Sequence, residues 1–229
     1  MDCGHARDIA PRQRDKSVNE PILHDYFRSS ASYRVRIALN LKGVEYSAVP
    51  TSLLAGDQRS EAYLALNPQG LVPALEVDGL VFTQSFAIID WLDRTFPEPR
   101  LIPEEPVERA GALAMTMVIA CDIHPLNNLR VLKYLTHDLG LRDEVRDRWY
   151  RHWIVEGLTA LEAMASGAGP FLGGDAPNIA DVFLVPQLAN ARRYDISLFD
   201  FPTLAACEAN ALALEPFAAA APDRVKPQD

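Results

Sequence analysis

The chain has 229 residues, of which 48% are apolar and 23% are charged, and its formal net charge at pH 7 is −9. This composition is typical of a soluble globular protein with one large or two small domains. The acidic balance argues against non-specific binding to nucleic acid or to anionic membranes. Three scattered cysteines are too few for a disulfide framework or a zinc site, which favours a reducing, cytoplasmic compartment.

The first segment, residues 1–21, mixes charges and prolines without an apolar stretch, so we expect a flexible N-terminal extension with no secretory signal or membrane anchor. Cys3 and His5 in this segment are too loosely placed to form a metal site, and we expect no metal. Residues 22–27 then have the pattern of a short strand, and the apolar face that follows predicts a helix.

Two serines, Ser29 and Ser30, lie at the start of that helix, at or beside its N-cap. Unpaired backbone N–H groups and the positive end of a helix favour an anion there. A serine hydroxyl in this place can donate to a sulfur atom and so stabilise a thiolate. The plainer interpretation, a serine that only caps the helix, stays open on these residues alone.

The following pattern predicts a small α/β domain and then a domain of helices. Asp78-Gly79 between two apolar runs is a hairpin signal. The predicted elements are strands at 45–50, 72–76 and 80–83 and a helix at 85–95. We therefore predict a thioredoxin-like β-α-β-α-β-β-α domain at 22–97, a proline-rich linker at 98–105 and an all-α domain at 106–229.

Within the second domain, two local patterns have structural interpretations. Asn178 and Asp181 have the spacing of a capping box at the start of an apolar helix. Trp149, Tyr150 and Trp153 form an aromatic cluster that we expect to pack in the core.

Several separated motifs resemble the glutathione transferase superfamily. The segment 29–39, Ser-Ser-Ala-Ser-Tyr-Arg-Val-Arg-Ile-Ala-Leu, is similar to the S-S-C-x-x-R-V-R-I-A-L signature of the zeta class, which includes maleylacetoacetate and maleylpyruvate isomerases. Segments 67–75, 84–92 and 121–130 follow in the order of that class. The resemblance implies the glutathione transferase fold, glutathione as cofactor, a homodimer, and conversion of a small maleyl dicarboxylate to its fumaryl isomer.

The resemblance also implies a set of residues that contact glutathione. Val72-Pro73 resembles a cis-proline turn that presents backbone groups to a peptide ligand. Gln84-Ser85 opens a helix whose amides suit the γ-glutamyl carboxylate. The implied contacts are Ser29, Ser30, Ala31, Ser32, Tyr33, Arg34, Gln58, Val72, Pro73, Gln84, Ser85, His124, Asn128, Leu129 and Arg130.

Polar residues of segment 121–130 have helical spacing, with His124 and Asn128 four apart, so we expect one helix face to present them to the cleft. Pro125 complicates the start of that face. Arg28, Arg130 and Arg193 match basic positions of the isomerase pattern, and guanidinium groups pair bidentately with carboxylates. The predicted catalytic set is Ser29, Ser30, Arg28 and Arg193.

One departure from the pattern is Ala31, which stands where the zeta signature has cysteine. This weakens a redox or dehalogenating role more than it weakens isomerisation.

General glutathione conjugation or peroxide reduction is an alternative function, but it suits a more apolar cleft. A non-catalytic transferase-like binding module is another, although such modules commonly lose the hydroxyl or the Gln-Ser pair. The choices between Ser29 and Ser30, and between the two maleyl substrates, stay open.

Overall fold

The structure is a computed structural model of the chain, and it describes residues 19–227. Cys3, His5 and most of the predicted N-terminal extension lie outside the described residues. The described end of this extension makes specific contacts. The Asn19 side chain donates to Asp78 at 2.6 Å, and the Pro21 carbonyl accepts from the Ser47 N–H at 2.9 Å.

The first half of the chain forms a four-stranded sheet with helices. The strands are β1 Ile22–Asp25, β2 Ser47–Pro50, β3 Ala74–Val77 and β4 Leu80–Thr83. The helices are α1 Ser30–Leu41, α2 Glu61–Leu66 and α3 Ser85–Thr95, with a short 3₁₀ turn at Asp57–Arg59. The strand order is β2-β1-β3-β4, with β1 parallel to β2 and antiparallel to β3. This arrangement confirms the predicted thioredoxin-like fold.

Several strand ends differ from the predicted ones, including the start of β2 at Ser47 rather than at residue 45, and two of these differences have identifiable reasons. The first strand ends at Asp25 rather than at residue 27, because Arg36 binds the Asp25 carboxylate and the Phe27 carbonyl and turns the chain towards α1. The third strand begins at Ala74 rather than at residue 72, because Pro73 has no N–H to donate to a ladder. The Val72–Pro73 peptide bond is cis, as the sequence predicted.

The second half of the described chain is helical. Its helices are α4 Pro106–Met117, α5 Leu129–Lys133, α6 Asp143–Met164, α7 Ile179–Arg193, α8 Pro202–Leu212, α9 Glu215–Ala219 and α10 Pro222–Val225, with π-helical turns at Val118–Ile123 and Tyr134–Asp138. Helix α7 is buried along most of its length and packs against α1, α4 and α8. The predicted capping box is present, with the Asn178 N–H donating to Asp181 at 2.9 Å. No helix among residues 19–227 is both long and apolar enough to cross a membrane.

Helix α1 joins the two halves. It packs against α3 on one side and against α7 and α9 on the other. Three of its side chains also donate to carbonyls of the C-terminal segment: Tyr33 to Phe217 at 3.4 Å, Arg36 to Ala220 at 3.0 Å and Asn40 to Pro216 at 3.0 Å. Helix α1 therefore connects the two halves of the described chain through both packing and hydrogen bonds.

Candidate active site

A cleft of about 390 Å³ lies between the α/β half and the helical half, at the start of α1. Five basic side chains line it: Arg28, Arg59, Arg130, Lys133 and Arg193. None of the described residues that line it is an aspartate or a glutamate. In a chain with a net charge of −9, this local excess of positive charge favours an anionic ligand.

Both serines at the start of α1 line this cleft, and each accepts one hydrogen bond. Ser29 is the N-cap, and its Oγ accepts from the Ser32 N–H at 3.2 Å. The Ser30 Oγ accepts from the Asn190 side-chain amide at 2.6 Å. Since a hydroxyl that accepts a bond keeps its own proton, both serines can still donate to a sulfur anion.

A smaller cavity of about 140 Å³ adjoins the cleft and shares Val72, His124 and Arg130 with it. Its wall includes Ser85, the first residue of α3. The preceding residue, Gln84, has φ +67°, and its side chain donates to Gln69 at 2.7 Å. The start of α3 thus offers backbone amides and a hydroxyl to a carboxylate. The remaining predicted residues in this wall are Ala31, Arg34, Pro73 and Asn128.

The segment from His124 to Arg130 does not form the single helix face that the spacing predicted. A π-helical turn ends at Ile123, His124 lies in the turn that follows, and Asn128 caps a new helix by accepting from the Arg130 N–H at 3.1 Å. Pro125 interrupts the helix because it cannot donate a backbone bond. His124, Asn128, Leu129 and Arg130 nevertheless all line the cleft.

Two of the predicted glutathione contacts, Ser32 and Tyr33, line neither the cleft nor the smaller cavity. Ser32 is fully buried, and only its backbone N–H supports the site, through Ser29. Tyr33 points from α1 towards the C-terminal segment, and burial raises the pKa of its phenol to about 12.

Other predicted residues do reach the cleft. Arg28 and Arg193 are exposed side chains on opposite halves of the protein, and both line it. Gln58 is buried in its wall, and the Gln58 Oε1 has no hydrogen-bond partner among the described residues. The predicted charge cluster is therefore assembled in one place.

Sequence reasoning missed Asn190 and a pair of tyrosines. Asn190 donates to Ser30, and its Oδ1 accepts a long bond from Arg193 at 3.5 Å, so it connects a serine of α1 with an arginine of α7. The sequence held one signal for Asn190: it lies three residues before Arg193, so the two side chains share one face of the helix. Tyr150 is buried in the core, as expected, and it also stacks on Tyr194 with ring centroids 3.6 Å apart, so that both residues line the cleft. Burial raises the pKa of both phenols, which keeps them protonated as donors.

Comparison with known proteins agrees with this geometry. Models of the glutathione S-transferase N-terminal and C-terminal domains match residues 23–100 and 141–213. A probable maleylacetoacetate isomerase of Vibrio cholerae is 49% identical over 206 residues, which cover 88% of this chain and 95% of that relative. The holo structure of a maleylpyruvate isomerase, a bacterial zeta-class glutathione S-transferase, matches with a TM-score of 0.88 and 39% identity and covers 91% of this chain and 100% of its own.

A third match is a maleylacetoacetate isomerase of Anaeromyxobacter dehalogenans with dicarboxyethyl glutathione and citrate bound in its active site. It is 40% identical with a TM-score of 0.81 and covers 90% of this chain and 96% of its own. The chain belongs to the glutathione transferase family. The three relatives described above are named as maleylacetoacetate or maleylpyruvate isomerases, and the maleylpyruvate isomerase is of the zeta class, the class that the serine segment resembles.

Proposed function

We propose that this protein is a glutathione-dependent isomerase that converts a maleyl dicarboxylate, maleylacetoacetate or maleylpyruvate, to its fumaryl isomer. The observation that carries the proposal is the cleft itself, where five cations and no described carboxylate face two serine donors. Relatives named for these two isomerisations cover almost the whole chain, which supports the same reaction here.

The donor set of the two cavities fits glutathione, a peptide with one thiol and two terminal carboxylates. Ser29 takes the sulfur, and the backbone of Val72 pairs with the cysteinyl unit as an added strand would. The amides at Gln84-Ser85 take the γ-glutamyl carboxylate. The buried Gln58 Oε1, which lacks a protein donor among the described residues, accepts from the amide N–H of the glycine unit.

When bound, glutathione supplies a thiolate that adds reversibly to the activated double bond and so turns it into a rotatable single bond. The chain's own contribution begins at Ser29. Its hydroxyl donates a hydrogen bond to the sulfur, and the positive N-terminal end of α1 lies beside it, so both lower the free energy of the thiolate relative to the thiol. Arg28 and Arg193 hold the substrate carboxylates by bidentate contacts. Cations in the same cleft stabilise the negative charge that develops on the substrate carbonyl oxygen.

The two alternative functions fit the site less well. A general transferase for uncharged electrophiles does not need the five basic side chains that both halves of the chain bring to this cleft. A non-catalytic binding module does not need a serine hydroxyl that can donate to sulfur, nor a helix start that can bind a carboxylate. This chain keeps both, at Ser29 and at Ser85.

The deciding experiment compares kcat/KM for maleylacetoacetate and maleylpyruvate with and without glutathione. We expect isomerisation of at least one of them that disappears when glutathione is omitted. Faster conjugation of 1-chloro-2,4-dinitrobenzene than isomerisation of either acid would favour the general transferase. Glutathione binding without turnover of any of these compounds would favour the binding module.

We further propose that the protein acts as a homodimer in the cytoplasm. Leu80, Val81 and Val107 on β4 and α4 are 62%, 37% and 77% exposed, which leaves apolar surface for a second copy. Cys121 and Cys207 are free thiols, which suit a reducing compartment. Sedimentation equilibrium at micromolar concentration tests the dimer, and a monomer there would contradict it.

A further inference from the structure

Two arginines of α1, Arg34 and Arg36, are both almost fully buried, at 2% and 1% exposure. The charge and the N–H donors of Arg36 all have partners within the protein. Its Nη1 donates to both oxygens of Asp25 at 2.8 Å, and its other nitrogens donate to the carbonyls of Phe27 and Ala220 at 3.1 and 3.0 Å. It is a structural ion pair that fixes the turn before the serines.

Arg34 has no such compensation. Among residues 19–227, no carboxylate lies within 4 Å of its guanidinium. The guanidinium lies over the ring of Phe183 at 4.2 Å, and its Nη1 is 3.5 Å from the Ser85 Oγ. Its Nε and Nη2 are enclosed without a protein acceptor in the described chain. An unpaired buried cation is unfavourable for folding, so stability does not account for Arg34 at this position.

The surroundings of Arg34 reinforce its positive charge. It borders the smaller cavity together with Arg130, His124 and the start of α3, and none of the described residues in that wall is acidic. His124 contributes no charge at neutral pH, because burial and the charge of Arg34 lower its pKa to about 3. Burial lowers the pKa of Arg34 itself to about 9, which still leaves it protonated near neutrality.

We infer that Arg34 is a positioning residue for the γ-glutamyl carboxylate of glutathione and acts on it through Ser85. By donating to the Ser85 Oγ, Arg34 orients the hydroxyl so that its proton points to the carboxylate. Its uncompensated charge, enclosed in a region of low dielectric, supplies the counter-charge that the protein itself does not provide. This inference rests on the proposed function only in taking glutathione as the ligand.

A double-mutant cycle between protein and ligand tests the inference. The ligand change is from glutathione to 4-aminobutyryl-cysteinyl-glycine, which lacks only the γ-glutamyl α-carboxylate, and the protein change is Arg34→Met. By calorimetric titration we expect the wild type to bind the analogue about 10- to 100-fold more weakly than glutathione, as for loss of a charge-assisted contact. Arg34→Met should discriminate between the two ligands by less than about threefold.

Equal discrimination by wild type and variant would overturn the inference and reduce Arg34 to a packing contact with Phe183. Arg34→Gln, which also removes the charge, repeats the cycle if the methionine variant does not fold. Arg36→Met is the matched control two residues along the helix. It leaves the Asp25 carboxylate buried and unpaired, so its melting temperature should fall. Arg34→Met leaves no such orphan and should melt at or above the wild-type temperature.

The same titrations separate this inference from the proposed function. A wild type that fails to bind glutathione would contradict the proposed function itself. A wild type that binds glutathione normally, with a cycle that shows no coupling, would contradict only the role of Arg34.

Discussion

The two adjoining cavities hold their polar groups in different ways. In the smaller one, Ser85 and Arg34 are buried, and the start of α3 fixes the backbone amides. In the larger one, Arg28, Arg130 and Arg193 are exposed side chains around the two serines. Fixed groups suit a ligand common to a whole family, whereas exposed cations suit selection of one class of substrate. Ser29 lies in the larger cavity but acts on the glutathione thiol, so its change should affect every reaction, whereas changes among the cations should affect only acidic substrates.

The largest effect is expected for Ser29→Ala. Loss of the activating hydroxyl should lower turnover by about a hundredfold or more, for isomerisation and conjugation alike. The ultraviolet absorbance of bound thiolate should fall in parallel, while glutathione affinity is retained. Ser30→Ala is the matched control, and if it alone abolished turnover, the roles of the two serines would be reversed.

The next effect concerns Arg193→Met, which keeps much of the apolar stem and removes the bidentate donor. A charge-assisted contact contributes roughly 1.5–3 kcal/mol, so kcat/KM for a maleyl substrate should fall between about tenfold and two hundredfold. Conjugation of uncharged 1-chloro-2,4-dinitrobenzene should change little. Equal losses in the two assays would assign Arg193 to glutathione binding or folding instead.

A smaller effect is expected for Asn190→Ala, which removes the bond to Ser30 and the long contact with Arg193. One hydrogen bond of roughly 0.5–1.5 kcal/mol predicts a loss in kcat/KM of about twofold to tenfold. Asn190→Asp should lower kcat/KM more than Asn190→Ala does. An aspartate carboxylate accepts a hydrogen bond from the Ser30 hydroxyl, which then no longer donates to sulfur, and it adds negative charge among the cations. An Asn190→Asp variant as active as the wild type would contradict this connection.

The smallest effect is expected from the protonation of His124, and it concerns the dependence of stability on pH. Because the pKa of His124 is lowered to about 3, its imidazole stays neutral in the folded protein across the range in which an ordinary histidine titrates. Lowering the pH below about 6.5 protonates this group in the unfolded chain only, so His124 should reduce stability there. Nuclear magnetic resonance titration, with His124→Gln to assign the signal, should show no midpoint between pH 5 and 8. A midpoint near 6.5 would mean that the imidazole is solvated.

Local patterns in the sequence predicted local structure well. Helix α3 begins and ends at the predicted residues, and the capping box at Asn178 forms as expected. These features depend on groups within a few residues of one another, where backbone geometry leaves little freedom. The segment 121–130 was predicted less well, since helical spacing indicated one face and Pro125 divided the segment into a turn and a new helix.

The sequence by itself determined the order of elements, the serine N-cap of α1 and the family motifs around Val72 and Ser85. Only the tertiary structure decided which polar groups meet and which stay unpaired. Ser30 and Asn190 are 160 residues apart, so no local pattern reports their bond. Arg34 and Arg36 look alike in sequence, but Asp25 compensates one, while the other lies against Phe183 of the helical half. Side-chain pairing across α1 and α7 depends on how the two halves pack, and sequence spacing carries no direct record of that packing.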